Sequence, residues 1–515
     1  MNALLMSPVI LPLATGVLGL ALRPYRRGQQ VVSLLAAAAH LAVAGALLSA
    51  VWRDGIQADQ MGGWPAPYGI TLVADHLSAA MVMITAIMLL ATVIYACCDV
   101  VEDSLVKDIH PHLQVLAGAV CGAFLAGDLF NLYVWFEVML VASLALLIAG
   151  ARKEQLDGAV KYAALSLVAT TLFLAGIGLL YGLTGTLNMA DLHVRVQDVE
   201  NTGLVTAVAV VFIVAFGIKA AVFPLFFWLP ASYHTPKVAV SAIFAGLLTK
   251  VGVYALIRLF TLVFTLDVGY THTILLWIAA LTMLTGVLGA ASHNDLRRIL
   301  SFHIVSQIGY MILGLALYTP LALLGAVFYV VHHIIVKANL FFIAGALRRL
   351  VGADDLRHLG GVYRERPLLA LLFFVPAFSL AGFPPLSGFW AKLFVIKASL
   401  QAGQHLVAGV ALFVGLLTMY SMTKIWVNGV WKARPESTPV PDEVRRPLRA
   451  ALLGPIVALA CLTLTIGLVV EPFYALAERA GHELTNPDVY VEAVLGRGGE
   501  DVPVAEALPA QAGLQ

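Results

Sequence analysis

The sequence predicts an all-α polytopic membrane protein of about fourteen transmembrane helices, with two inverted five-helix repeats and two broken helices. Its composition predicts the class, because 60% of the 515 residues are hydrophobic and 12% are charged, about half the charged fraction of soluble domains. Apolar runs of about 20 residues, long enough to cross a bilayer, recur along the chain. Function is therefore expected among the ionisable residues inside these runs.

The apolar runs divide the chain into fourteen predicted spans. A nearly continuous apolar run over 112–150 is divided at Gly127–Asp128, which gives two short helices. The predicted spans are 3–22, 31–52, 75–97, 112–127, 130–150, 159–182, 204–229, 239–264, 272–291, 298–317, 320–347, 367–400, 405–431 and 450–470.

Two of these spans carry helix breakers beside a lysine. Pro224 lies five residues after Lys219 in the seventh span, and Pro384 and Pro385 precede Lys392 in the twelfth. Proline frees backbone groups that only protein or a water-filled cavity can satisfy in a membrane. We predict that the prolines keep both helices open, so that freed carbonyls and water meet the lysines.

The offset between the two broken spans predicts the domain organisation. They are five spans apart, and an odd offset inverts the second relative to the membrane, as in transporters built from inverted repeats. The predicted units are N-terminal helices 1–3 over 1–111, a first repeat of helices 4–8 over 112–264, a second repeat of helices 9–13 over 265–431, a loop and helix 14 over 432–470, and a polar C-terminal tail over 471–515.

The loop cations are predicted to lie mainly on one side. Twenty of the 31 lysines and arginines fall in loops that follow odd-numbered spans, and six fall within spans. Because lysine and arginine are enriched in cytoplasmic loops, we predict cytoplasmic odd loops and outward-facing termini. The five cations assigned to the opposite side are Arg53, Arg195, Arg258, Arg479 and Arg497.

Glu137 and Lys219 are predicted to form a functional pair. Glu137 lies among Trp, Phe, Val and Met in the fifth span, where a lone carboxylate would be strongly desolvated. Lys219 is the natural cation to hold it ionised. A static ion pair is the alternative, but buried pairs often add little stability relative to apolar residues, so we favour a function.

Lys250 and Lys392 are predicted to accept and release protons. Lys250 has no acidic neighbour in its own helix and lies near the middle of the eighth span. A lysine at the bilayer centre costs at least ~2.5–3.5 kcal/mol on insertion scales, and desolvation disfavours its charged form. The alternative is a side chain that snorkels to the headgroups, which suits Lys397, near a helix end, better.

Histidines in the tenth and eleventh spans are predicted to connect the lysines. Histidine titrates near neutrality and can donate or accept a proton. His303 and Gln307 are four residues apart and share a helix face, as do His333 and Lys337, with His332 adjacent. The alternative is hydrogen bonding between helices. For Lys337 and Lys424, snorkelling remains an alternative.

Other polar residues carry no such prediction. Asp75, His76 and Asp128 lie at helix ends and are interpreted as ordinary interfacial residues. The four cysteines form neither CxxC nor a pattern with histidine at metal-ligand spacing, so no metal site is predicted. No phosphate-binding loop or other cofactor motif occurs, and a net charge of +1 gives no indication of nucleic-acid binding.

Six segments resemble one family. They are FEVMLVASLALL with Glu137, KAAVFPLFFWLPASYHTP with Lys219, VSAIFAGLLTKVGVYALIR with Lys250, DLRRILSFHIVSQIGYMILG, HHIIVKANLFFIAGALRR and LAGFPPLSGFWAKL with Lys392. The chain resembles the antiporter-like membrane subunits shared by respiratory complex I, membrane-bound hydrogenases and Mrp-type multisubunit sodium/proton antiporters. Within that family it is most similar to the Mrp-type members, and Lys392 stands where some complex I members carry glutamate.

The resemblance implies site residues. It implies fourteen helices with inverted repeats, a Glu–Lys pair, a central lysine and a terminal lysine. The predicted proton-transfer residues are therefore Glu137, Lys219, Lys250, His333 and Lys392; the secondary relay candidates are His303, Gln307, His332, Lys337 and Lys424; and the predicted helix breaks are Pro224, Pro384 and Pro385. Gln307 stands where some members carry histidine, so His303 is its alternative.

Lys250 is predicted to be the central switch between the two halves. Two ammonium groups ~6 Å apart at an effective dielectric constant of ~20 repel each other by ~3 kcal/mol. Movement of Lys219 between Glu137 and Lys250 would therefore make Lys250 take up and release a proton.

The sequence predicts a transporter subunit without a cofactor, not an enzyme. The leading function is proton translocation in a multisubunit monovalent cation (Na⁺)/proton antiporter of the bacterial plasma membrane, with other subunits, protons, Na⁺ and the lipid bilayer as partners. The alternatives are a proton-pumping subunit of complex I or a membrane-bound hydrogenase, and a non-transporting scaffold.

Overall fold

The computed structural model of the chain describes residues 3–99, 108–434 and 450–496. The predicted loop cations Lys107, Arg445, Arg446, Arg449 and Arg497, and the last part of the predicted tail over 497–515, lie outside the described residues.

The described residues up to 262 form helices and one two-stranded antiparallel sheet, of strands β1 (Gln57–Gln60) and β2 (Thr71–Ala74). Short 3₁₀ turns cover Met61–Gly63 and Val196–Asp198, and a π-helical turn covers Phe244–Leu248. The α-helices are α1 Ala3–Ala21, α2 Arg26–Asp54, α3 His76–Asp99, α4 Ile109–Leu125, α5 Leu129–Leu147, α6 Lys153–Thr184, α7 Met189–Arg195, α8 Thr202–Ala220, α9 Trp228–Ser232, α10 Val238–Ile243 and α11 Thr249–Leu262.

The described residues beyond 262 are helical apart from turns and connecting loops. A second π-helical turn covers Trp426–Trp431. The α-helices are α12 Val268–Ser292, α13 Leu296–Leu317, α14 Pro320–Val351, α15 Val362–Glu365, α16 Pro367–Ala381, α17 Ser387–Gln401, α18 His405–Ile425, α19 Ala450–Leu468, α20 Val470–Thr485 and α21 Pro487–Leu495.

The predicted all-α membrane class is confirmed. Within the described ranges, eleven helices are long and apolar enough to cross a bilayer, or twelve if the bent pair Leu452–Leu468 and Val470–Thr485 counts as one span. Ile109–Leu125 and Pro367–Ala381 are apolar but shorter. Helices occupy each of the fourteen predicted spans, but the exact count of fourteen membrane crossings remains a prediction.

The loops that follow odd-numbered spans meet at one end of the molecule, the odd-loop face. Contacts that bridge these loops are Arg23–Asp108 at 2.7 Å, the Arg152 guanidinium to the Thr235 carbonyl at 3.0 Å, the Arg297 guanidinium to the Pro236 carbonyl at 2.6 Å, and Arg434–Glu365 at 3.2 Å. The loop cations within the described ranges therefore cluster on one side, as the charge pattern predicts.

Backbone hydrogen bonds repeat between the two halves. Asp128 caps α5 and bridges to Asn188, and Asp295 caps α13 and bridges to Asp355. The bonds Leu129 N–Leu187 O and Met189 N–Gly127 O recur 167 residues later as Leu296 N–Asp354 O and Leu356 N–Asn294 O. The recurrence spans five predicted membrane segments, which supports the predicted inverted repeat.

The two predicted helix breaks share one backbone motif. Ala221 follows α8 and Gly382 follows α16, both in the left-handed conformation. In each, the next residue donates its N–H to a carbonyl five residues back, from Val222 to Gly217 and from Phe383 to Phe378, which is the pattern of a Schellman cap. The helices therefore end before Pro224, Pro384 and Pro385, and these prolines lie inside the breaks.

The C-terminal segment differs from the predicted polar tail, since it is helical through Leu495. Gly481 of α20 packs on the backbone of Leu324 in α14, where an added Cβ would lie 3.0 Å from the Leu324 nitrogen. Glu483 contacts His76 Nδ1 at 2.6 Å and accepts a hydrogen bond from the His76 backbone at 3.0 Å. The segment has one apolar face of small residues. This pattern is too short to predict a packed helix from the sequence alone.

A buried ion pair lies beneath this segment on the side opposite the odd-loop face. Arg258 donates to Asp75, and both side chains are at most 5% exposed. The Arg258 guanidinium lies 5.1 Å from the ring centroid of Tyr490 in α21 and 5.4 Å from that of Tyr254. Arg258 thus lies inside α11, within the predicted span 239–264 and on the side to which the charge pattern assigned it, whereas Asp75 is not an ordinary interfacial residue.

We predict that the Asp75→Leu substitution will strongly destabilise the protein. Removing one partner leaves the other as an uncompensated buried charge, which costs ~3–5 kcal/mol. Thermal stability of the detergent-extracted protein, followed by fluorescence-detected size-exclusion chromatography, measures the effect. The double variant Asp75→Leu/Arg258→Met should recover most of the loss. A single variant as stable as the parent would contradict this structural role.

Candidate functional site

Glu137 and Lys219 interact through their charges without a described hydrogen bond between them. Lys219 Nζ is buried without a hydrogen-bond partner, as is Glu137 Oε1. The ammonium lies 5.7 Å from the Phe136 ring centroid, a favourable cation–π distance, and interacts electrostatically with Glu137. No ion pair joins the two in the described part of the chain, so their direct pairing remains a prediction.

Glu137 also lines a groove at the edge of the protein. The groove has a volume of about 440 Å³ and otherwise presents mainly apolar side chains of α1, α4 and α5, among them Leu20, Val115 and Val141. Glu137 is half-buried, whereas Lys219 is 8% exposed. The carboxyl group therefore lies between the protein interior and whatever covers this groove.

Gly252 brings the end of α8 against α11. A Cβ at Gly252 would lie 2.6 Å from the Ala220 nitrogen and 2.9 Å from the Lys219 carbonyl carbon, closer than side-chain carbons approach backbone atoms. Gly252 is two residues beyond Lys250. The backbone that carries Lys219 is therefore packed directly on the helix that carries Lys250.

Lys250 is fully buried and bonded only to uncharged groups. Its Nζ donates to the Ala245 carbonyl at 2.6 Å and contacts Thr249 Oγ1 at 3.3 Å. Ala245 lies in the π-helical turn Phe244–Leu248, where i→i+5 bonding replaces the α-helical pattern. The distortion places a backbone carbonyl within reach of the lysine amine.

His333, His303 and Lys337 form a buried cluster beyond Lys250. Lys337 Nζ donates to the Leu300 carbonyl at 3.1 Å. Both ring nitrogens of His333 and of His303 are buried without a protein partner. His333 interacts electrostatically with Lys250, Lys337 and His303. The structure thus brings together the predicted residues of the eighth, tenth and eleventh spans.

Lys392 lies at the second helix break. Its Nζ donates to the Ala381 carbonyl at 2.9 Å, one of the last carbonyls of α16, which have no partner within the helix. The ammonium lies 5.3 Å from the Tyr310 ring centroid. His303 and His332 both interact electrostatically with Lys392, so the cluster continues to this lysine.

His332 is anchored to the same break through serine. Its Nδ1 lies 2.8 Å from Ser387 Oγ, which contacts Ser379 Oγ at 3.0 Å. Gly388 allows this approach, since a Cβ there would lie 1.8 Å from the Ser379 carbonyl oxygen and 2.9 Å from His332 Nε2. His332 therefore joins α14 to both halves of the broken helix.

Two secondary candidates have other partners. Gln307 Oε1 accepts from the Tyr329 hydroxyl at 2.5 Å, which leaves His303 as the unbonded polar group on that face. Lys424 Nζ donates to the carbonyls of His293 at 2.7 Å and Ala291 at 3.2 Å. Lys424 thus caps the end of α12 at the odd-loop face, and its relay role remains a prediction.

Several groups at the site have little or no signal in the sequence. The π-helical turn before Lys250 lacks a proline to reveal it, and a second such turn follows Lys424 in the thirteenth span. Ser379 and Ser387 flank the prolines of the twelfth span. Their hydroxyl groups beside a helix breaker were the one sequence signal that could have identified them as contacts of His332. Among the described residues, no group of three or more His, Cys, Asp or Glu side chains could hold a metal ion.

Comparisons with known proteins place this architecture in a family. Residues 126–418 match the family model described as NADH:quinone oxidoreductase/Mrp antiporter, TM. The chain belongs to this family. It is 43% identical over 495 residues to the D subunit of the Na(+)/H(+) antiporter of Alkalihalophilus pseudofirmus, and 39% identical over 497 residues to that of Bacillus subtilis; each match covers 96% of this chain and 100% of the relative.

Two solved structures share the fold. A chain of the Mrp complex from Dietzia sp. superposes with a TM-score of 0.90 at 34% sequence identity, covering 96% of this chain and 100% of that one. A chain of the membrane-bound sulfane sulfur reductase, an archaeal respiratory membrane complex, gives a TM-score of 0.88 at 25% identity, covering 95% and 99%. The family resemblance seen in the sequence is confirmed.

We predict that Gly252→Ala will impair transport by displacing Lys219. The added Cβ meets backbone atoms, so the end of α8 must move, and a misplaced group at a site can cost about 100-fold in rate. The control is Gly246→Ala in the same span, whose Cβ would meet nothing closer than 3.5 Å. Transport by purified complex in proteoliposomes measures both variants; equal rates would show that the close approach is irrelevant to transport.

Proposed function

We propose that this protein is a proton-translocating subunit of a multisubunit monovalent cation (Na⁺)/proton antiporter. Its relatives named as the D subunit of a Na(+)/H(+) antiporter match over their full length, and one of the similar solved chains belongs to an Mrp complex. These observations support a transporter subunit that acts with other subunits. The chemistry must then come from buried ionisable residues.

One observation carries this proposal: three buried lysines are bonded to carbonyls and not to carboxylates. Lys250, Lys337 and Lys392 each donate to a backbone oxygen. A carboxylate partner would hold a lysine in its charged form, because removing the charge would leave the carboxylate unpaired. A carbonyl accepts a hydrogen bond from either an ammonium or a neutral amine. Each lysine can therefore gain or lose a proton without leaving a buried carboxylate unpaired.

The proposed route joins the two repeats in one series. It begins at Glu137 and Lys219, continues to Lys250, and passes through His333 to Lys392. The buried ring nitrogens of His333 and His303 that lack protein partners are suited to a proton relay through neighbouring lysines or water. His303, His332 and Lys337 lie beside this route and are assigned secondary relay roles.

Movement of Lys219 relative to Glu137 is proposed to drive Lys250. Approach of the Lys219 ammonium raises the cost of a charge on Lys250, and its withdrawal toward Glu137 lowers that cost. Packing of the Lys219 backbone on Gly252 offers a second connection, since displacement of the α8 end also displaces α11. Both effects act on the same central lysine.

The proposed setting is the bacterial plasma membrane, with both ends of the chain on the outer side. The clustering of loop cations on the odd-loop face supports this orientation, because that face carries Arg152, Arg297 and Arg434. The proposed units remain the three N-terminal helices, repeats over 112–264 and 265–431, and the C-terminal region. Partners are other antiporter subunits, protons, Na⁺ and lipid.

A redox-driven proton pump is the second candidate function. The similarity to a chain of an archaeal respiratory membrane complex favours it over the scaffold alternative, because the same fold occurs in such an assembly. The two functions differ in the partners of this chain and not in its buried residues. Purification of the intact complex separates them, since iron–sulfur proteins would accompany a redox pump.

We predict that Glu137→Ala and Lys219→Ala will each abolish most transport. Either change removes one member of the pair that is proposed to start the relay, and leaves the other uncompensated at a cost of ~3–5 kcal/mol. Sodium-dependent proton transport in inverted vesicles, at matched expression, is the measurement. Lys397→Ala, which changes an exposed lysine of α17, is the control. Near-normal transport by either pair variant would contradict the proposed role.

We predict that Lys250→Arg will assemble but transport at least about tenfold more slowly, because arginine keeps the charge and does not deprotonate in proteins. Lys250→Ala should be similarly impaired. The same vesicle assay, with complex assembly checked by native gel electrophoresis, measures both. Full antiport by Lys250→Arg would mean that a fixed charge suffices at this position.

A further inference from the structure

A cavity of about 540 Å³ opens at the odd-loop face between the two repeats. The first two turns of α6 form one wall, the segment after the α8 break forms the second, and the start of α13 forms the third. The cavity belongs to none of the steps assigned above. Its position at the end of the spans places it at the level of the lipid headgroups.

Two cations that face this cavity have no anionic partner in the described chain. Lys153 and Arg298 line it, and neither belongs to a described ion pair. Lys161 also lines it but is paired with Asp157 at 2.6 Å. The remaining acidic group is Glu154 at the start of α6. The cavity thus offers two unpaired cations for an anion, together with the carboxylate of Glu154.

His234 lines the cavity and contacts Arg298. Its Nδ1 lies 2.8 Å from the Pro230 carbonyl, and its Nε2 accepts from Arg298 Nε at 3.3 Å. Burial, with the neighbouring Arg298 charge, lowers the pKa of His234 to about 4. At neutral pH the imidazole is therefore neutral, and it orients the Arg298 side chain without adding charge.

Apolar surface flanks the cations. Phe227 is 56% exposed at the cavity, and Phe302 stacks on His293 with ring centroids 4.8 Å apart. Val160 on α6 and Leu288 on α12 are further exposed apolar side chains of the neighbouring spans. Cations at the headgroup level next to exposed apolar side chains within a span form an amphipathic surface. Its chemistry matches a phosphate attached to hydrocarbon chains.

We propose that this cavity binds the phosphodiester headgroup of a bilayer phospholipid. Lys153 and Arg298 contact the phosphate oxygens, and Phe227 and Phe302 flank the start of the acyl chains. Glu154 accepts hydrogen bonds from the headgroup's ammonium or hydroxyl groups. Because Phe227 belongs to the segment that follows the α8 break, the lipid holds this segment against α6 and α13.

The test measures lipid binding by the intact complex. Complex extracted in detergent is stripped of lipid and titrated with dioleoyl phosphatidylglycerol, and native mass spectrometry counts the bound molecules. Lys153→Ala/Arg298→Ala should weaken the tightest site about 30-fold, the equivalent of ~2 kcal/mol for two cations near the membrane surface. The charge-preserving variant Lys153→Arg/Arg298→Lys should retain the site.

The control is Arg364→Ala, which removes an exposed arginine of the same face outside the cavity and should leave binding unchanged. Dioleoyl phosphatidylethanolamine should bind at the same site, whereas millimolar inorganic phosphate should not displace either lipid. Displacement by phosphate would replace the proposal with a free-anion site. Loss of a partner subunit from the double variant, with lipid binding intact, would show that the cavity is a subunit contact.

A second variant covers failure of the double mutant to assemble. Phe227→Ala removes one wall of the acyl-chain path and should weaken phosphatidylglycerol binding about tenfold, because the lipid would no longer cover the exposed apolar surface of this ring. Unchanged affinity in this variant would overturn the lipid assignment. Lipid counts do not depend on antiport, so this result stands apart from the transport assays.

Discussion

The interior of this protein depends on one requirement: each buried lysine amine needs hydrogen-bond acceptors from the protein in place of water. A charged or neutral amine without hydrogen bonds is costly in a low-dielectric interior. A regular α-helix offers few free carbonyls, because its backbone groups bond to one another. Lys250 and Lys392 donate to free carbonyls where the helix is irregular. The carbonyl that Lys250 contacts lies in a π-helical turn, and the one that Lys392 contacts lies at a helix end. The irregular backbone thus replaces the solvent that the lysines lose.

The internal repeat explains why these irregularities come in pairs. Breaks follow α8 and α16, and π-helical turns lie in the next span of each repeat, at Phe244–Leu248 and Trp426–Trp431. Side chains do not follow this symmetry as closely. The first repeat carries Glu137 with Lys219, whereas the second surrounds Lys392 with histidines of two helices. The backbone supplies equivalent sites, and each repeat fills them differently.

The sequence predicted those features that a single segment encodes. The prolines identified both helix breaks. The position of Lys219, Lys250 and Lys392 within apolar runs identified them as candidate site residues. Both signals are local in the sequence. The π-helical turn Phe244–Leu248 contains no residue type that marks it in the sequence. The Asp75–Arg258 pair joins residues 183 positions apart, and α20 has only a short amphipathic pattern. Such features depend on tertiary contacts that one sequence does not reveal.

The arrangement of charges also determines how the two halves can communicate. In the second repeat, His333, His303, Lys337 and Lys392 influence one another through their charges. In the first repeat, Lys219 has no hydrogen-bond partner, and its backbone is what touches the helix of Lys250, at Gly252. A shift of the α8 end therefore moves a charge and a helix together. Because packed interiors resist gradual deformation, such a contact favours two discrete arrangements, as the proposed alternation of proton uptake and release requires.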